Sequence, residues 1–117
     1  MYEIIQEFEK GHFTVRVSIT NEDLPLESTF DDSVTDISEL YSQIEHGLLE
    51  YFVVRVQFFY EGIEAGSDYL GGCLYENAQT AIEQGLDGYL EDMLAEAEAE
   101  AVIYMAGLKQ KLEADFG

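Results

Sequence analysis

The chain has 117 residues, with 25 acidic side chains against five basic ones and a formal net charge of −20 at pH 7. That length suits one domain spanning residues 1–117, leaves no room for a second core, and gives a compact fold a radius of gyration of about 13 Å. A hydrophobic fraction of 47%, with eight Tyr and seven Phe, excludes a disordered acidic tail, because these side chains bury the surface that offsets ordering entropy.

Residues Tyr2 to Phe8 lead into Lys10-Gly11, after which Phe13, Val15, Val17 and Ile19 alternate with polar residues. A period of two marks a half-buried strand, so the chain is expected to open with a β-hairpin. Asn21 to Phe30 holds the only proline, Pro25, and reads as a loop. Ser33-Val34-Thr35-Asp36 reads as a helix start, with Val34, Ile37, Leu40, Tyr41 and Ile44 at helical spacing and Gly47 as terminator. A second hairpin follows. Phe52, Val54, Val56, Phe58 and Tyr60 alternate along one strand, Glu61-Gly62 is the turn, and the return runs from Ile63 towards Tyr69. Gly71-Gly72 is expected to bend or bulge this strand before Cys73. Asn77 then caps a short helix ending at Gly85.

The last third is the clearest helix, with Leu90, Leu94, Ala97, Ala101, Tyr104, Leu108 and Leu112 recurring every three or four residues. Unbroken from Asp87 to Ala114 it would span about 42 Å, wider than the expected domain, which predicts a break near Gly107. The order β-β-α-β-β-α-α predicts an α+β fold: a four-stranded antiparallel sheet from two hairpins, helices on one face, and a long C-terminal helix.

Chemistry-bearing residues are sparse. His12, His46 and Cys73 lack any paired metal-ligand spacing, so neither zinc nor another metal or cofactor is expected. His46 precedes Gly47 at the helix end, where capping explains it. Cys73 beside Gly72 reads as a small buried residue, and a lone cysteine forms no internal disulfide. Asp31-Asp32 to Asp36 lacks the calcium-loop pattern. Gly66-Ser67-Asp68 and Gly71-Gly72 read as glycine-containing turns without phosphate-loop spacing. Carboxylates are so numerous that proximity of any pair carries no weight, and no catalytic residue is expected. Direct binding to nucleic acid or an anionic membrane is opposed by charge. No secretory or membrane-spanning pattern is present, so the expected setting is cytoplasmic.

The acidic residues are therefore the candidate site. Glu91, Asp92, Glu96, Glu98 and Glu100 fall within ten residues of one helix, with no Lys or Arg at i,i+4 to compensate them. Asp92, Glu96 and Glu100 recur at rises of about 6 Å. Asp31, Asp32, Asp36 and Glu39 form a second group near a helix start, and Glu61, Glu64 and Asp68 a third on the second hairpin. A charge of −20 equals the phosphate charge on about 34 Å of duplex. Self-repulsion at that charge opposes compaction, so an uncompensated excess calls for a function. Halophilic proteins reach similar charge for solubility, a reading against which the aromatic content argues.

With the stretch Glu91 to Glu100 as its most evident feature, the chain resembles the small acidic DNA-mimic proteins of bacteria and phages. Its size and mixed plan are most similar to the neisserial kind that binds the histone-like nucleoid protein HU. The resemblance implies a noncatalytic protein, monomer or small homo-oligomer, whose carboxylates replace phosphates against a basic DNA-binding protein. Restriction enzymes and CRISPR effectors are alternative targets of this class. The competing expectation is an interaction or assembly subunit that makes contact through exposed Tyr and Phe.

Overall fold

A computed structural model describes residues 1–116; Gly117, included in the expected domain, lies outside the described residues. Four strands, β1 (Glu3–Lys10), β2 (Phe13–Asn21), β3 (Glu50–Tyr60) and β4 (Ile63–Tyr75), form one antiparallel sheet in the order β1-β2-β3-β4. Both hairpins close through two-residue turns, Gly11-His12 and Glu61-Gly62. Glu61 and Gly62 both take positive φ, +46° and +83°, the pairing that suits the right-handed twist of adjoining strands.

Three helices complete the fold: α1 (Ile37–Glu45), α2 (Ala78–Glu83) and α3 (Tyr89–Phe116). Val15 and Val17 of β2, Val54, Val56 and Phe58 of β3, and Ala65 of β4 point to one face. They bury there against Ile82 of α2, Leu86, and Leu90, Met93, Ala97 and Ala101 of α3. Helix α3 lies chiefly over β4 and β3. Helix α1 stands apart from this core and packs on a short 3-10 turn, Leu26–Ser28, within the segment expected to be loop. There Leu26 is fully buried, and its N–H donates to the Tyr41 hydroxyl.

Helix α1 begins later than its sequence suggests. Asp36 is the N-cap, its carboxylate accepting the Glu39 N–H at 3.1 Å, while Ser33 is held by Asp31. Val34 consequently precedes the helix and is 81% exposed. Asn77 caps α2 as expected, accepting the Thr80 N–H at 2.9 Å.

Three glycines read as turn residues, Gly66, Gly71 and Gly72, lie inside β4. The chain gains one residue between Leu70 and Cys73, opposite Phe52 to Val54, which is the expected bulge at Gly71-Gly72. Glu22 anchors it, accepting the Gly72 N–H at 2.8 Å. Gly66 is a strand residue paired with Phe58, next to a second register shift at Ala65, and lies under α3.

Gly107 does not break α3, which is continuous over 28 residues. An interior glycine costs about 1 kcal/mol but removes no hydrogen bond and creates no clash, unlike proline. The last residue fully buried on the sheet is Ala101 and the last packed against the core is Met105, so the helix projects beyond the sheet by 11 residues, about 16 Å. The molecule is thus a rod of 62 × 25 × 25 Å with a radius of gyration of 17.7 Å, not the compact body expected from length. No helix among the described residues is long and apolar enough to cross a membrane.

Candidate functional site

Residues 21–50 contain nine Asp and Glu, residues 76–100 contain eight, and neither segment has a Lys or Arg. The fold brings these segments together. Glu50 accepts the Ala78 N–H at 3.2 Å, and Phe30 lies across the Gly71-Gly72 bulge from Asp87 and Tyr89. One end of the rod therefore gathers acidic side chains from both segments, and α3 carries the acidity from Glu91 to Glu100 towards the hairpin tips.

Almost all of this charge is solvated and unpaired. Of the acidic residues, 22 are exposed and only Glu22, Asp68 and Glu98 are half-buried. Among the described residues there are three ion pairs: Lys10–Glu98 at 3.1 Å, Arg16–Glu7 at 2.9 Å and Lys109–Glu113 at 4.0 Å. No ion pair neutralises an acid in residues 21–50.

At 100° per residue, the outward side of α3 holds two acidic flanks. Asp92, Glu96 and Glu100 occupy one, Glu91 and Glu98 the other, and Ala95 and Ala99 form a low ridge between them. Leu90, Met93 and Ala97 fix this orientation by facing the sheet. The ridge leaves both flanks open to solvent, though Glu98 is already bound to Lys10 and offers less free charge than expected.

The second group has structural duties that leave its charge at the surface. Ser33 donates to Asp31 from its backbone N–H at 2.9 Å and its hydroxyl at 2.7 Å. These bonds, the backbone one first, hold the Asp31 carboxyl below the usual range. Asp36 caps α1, Glu39 accepts a bond from Gln43, and Asp32 is exposed. The third group is not part of this surface: Glu61 sits in the β3–β4 turn at the opposite end of the strands, with Glu64 three residues beyond it. Asp68 pairs with Val56 and is half-buried on the helix-facing side.

Residue type gave no hint of where the arginines lie. Arg16 and Arg55 both stand on the sheet face that α3 leaves open. The Arg16 guanidinium lies 4.7 Å from the Phe59 ring centroid, and that of Arg55 lies 3.7 Å from the Tyr2 centroid while donating to Ser18. Their positions at alternating strand residues, opposite the apolar set, carried this signal.

His46 and Cys73 have structural places, and His12 lies in the β1–β2 turn. His46 is the C-cap of α1, with Nδ1 2.7 Å from the Ser42 carbonyl oxygen. Cys73 is buried and free, and burial, aided by the Glu22 carboxylate, pushes its thiol up to about 11. No group of three or more potential metal ligands occurs among the described residues. A hollow of about 710 Å³ lies between α1 and the ends of β2 and β3, where Glu22, Asp23 and Glu50 contribute more negative charge. Comparison with family models, curated proteins and solved structures returns no match.

Proposed function

We propose that this protein is a DNA mimic, whose carboxylates occupy the DNA-binding surface of a basic protein in place of phosphates. One observation carries the reading: 17 acidic residues in two base-free segments converge on one end and one helix of a rod. Over its 62 Å length the protein carries one net charge per about 3 Å, roughly half the density of a duplex. A partner seated on one side of a duplex also meets only part of its phosphates. Long-range attraction to Lys and Arg accelerates encounter, and salt weakens the complex.

The test begins with capture of partners from a lysate on the immobilised full chain at low salt. Captured proteins, and purified HU as a named candidate, are then loaded with fluorescent duplex DNA. Addition of the protein should lower DNA anisotropy, with the effect declining steeply as salt rises. Partners that keep their DNA at low salt would refute the mimic reading and leave an assembly subunit in its place.

A further inference from the structure

The acidic surface does not account for the part of α3 that passes the sheet. Residues 106–116 contain two Lys, one Glu and one Asp and so have no net charge, in a protein at −20. The apolar row that seats the first half of the helix continues from Met105 along this overhang through Leu108, Leu112 and Phe116. Leu112 is 48% exposed and Phe116 86%. At the root of the overhang lies a hollow of about 480 Å³ lined by Phe13, Tyr60 and Met105, with the Lys10–Glu98 ion pair at its edge.

We propose that the overhang pairs with that of a second copy, antiparallel, about a two-fold axis near residue 110. In this arrangement Leu108 of each helix lies level with Leu112 of the other. Phe116 of each lies level with Tyr104, beside Met105 and the mouth of the hollow. A knob and a hollow on one face, eleven residues or about 16 Å apart, suit an isologous contact in which both are satisfied twice. The second helix takes the space the sheet would fill if its strands were longer.

Charge selects this occupant. Two bodies at −20 repel over most of their surfaces, but overlap of the neutral overhangs leaves the acidic ends at opposite extremes of the combined rod. Their separation far exceeds the Debye length of about 8 Å at physiological salt. Lys109 of each copy also comes within one turn of Glu113 of the other, on the same flank.

Sedimentation velocity of the full chain over a roughly hundredfold concentration range tests the pairing. The expected result is a species of twice 13.2 kDa, favoured by added salt because screening relieves repulsion. Phe116→Asp and Leu112→Asp should each raise the dissociation constant by about tenfold or more, while Ile103→Asp, on the outer side of the helix, should leave it unchanged. Both disruptive positions lie beyond the last residue buried on the sheet, and circular dichroism verifies that the fold persists. A monomer under all conditions, or a dimer indifferent to both Asp variants, would overturn the proposal. Binding to a basic protein weakens with salt whereas this pairing strengthens, so the two readings fail independently.

Discussion

Gly66 of β4 and Ala97 of α3 meet backbone to backbone. A Cβ at Gly66 would overlap the Ala97 carbonyl oxygen and stand 2.7 Å from the Ala101 amide nitrogen. Helix and sheet therefore touch through main-chain atoms, and the two small helix residues, both fully buried, make that approach possible. Gly66→Ala should displace the helix and cost about 1–3 kcal/mol of stability, read as a lower urea midpoint. Gly66→Val should cost more. An unchanged midpoint would mean that α3 is not seated on this strand.

Reversal of Asp92, Glu96 and Glu100 to Lys removes one acidic flank of α3 and changes the formal charge by six units. Affinity for a captured basic partner should fall roughly a hundredfold or more at low salt, with the fold intact because all three are exposed. Reversal of Glu61 and Glu64, near the opposite hairpin tip, should have a much smaller effect. Equal losses from both sets would indicate nonspecific attraction, and the same titration distinguishes them.

The Tyr75 phenol is pushed up to about 12, first by burial and then by the hydrogen bond it donates to Asp87 at 3.0 Å and by that carboxylate's charge. Its ordinary value is 10, so the unfolded chain ionises first as pH rises. The contribution to stability is complete below pH 10 and is lost between about pH 10 and 12. Tyr75→Phe should flatten the fall of the melting temperature across that window without changing its slope near neutrality.

Cys73 should resist alkylation in the native protein. Its 5% exposure and a thiol raised to about 11 leave almost no accessible thiolate at neutral pH. Iodoacetamide labelling should be slow in buffer and fast in urea, followed by mass. Rapid native labelling would place the bulge beside Cys73 in frequent local opening.

The elements were legible in the sequence because each was locally coded. Alternation of apolar residues in β2 and β3 gave the strands, and Asn77 supplied a cap where the chain changes form, whereas the start of α1 was read from Ser33, three residues ahead of its cap Asp36. The Gly71-Gly72 bulge was legible for the same reason. What could not be read depended on neighbours distant in sequence. Gly66 has the composition of a turn, and only the crossing of α3 shows why it lacks a side chain. Gly107 reads as a breaker, but no local clash opposes continuation of the helix, and the rod shape follows. At the candidate site, the acidic stretch on α3 was evident, while its two flanks required knowledge of which side meets the sheet. Glu98 could not be separated from its neighbours without Lys10, 88 residues away.

The distribution of basic residues has a consequence for proteolysis. Trypsin has sites only after Lys10, Arg16, Arg55, Lys109 and Lys111. Arg16 and Arg55 are half-buried within the two central strands, where cleavage requires the sheet to open. In the folded state the enzyme is confined to the first hairpin's tip and the helical overhang. Native digestion should nick the first hairpin and trim the end of α3 while leaving residues 17–109 joined. A complete digest would divide the acidic surface between two uninterrupted peptides, residues 17–55 with nine of its 17 acids and residues 56–109 with the other eight.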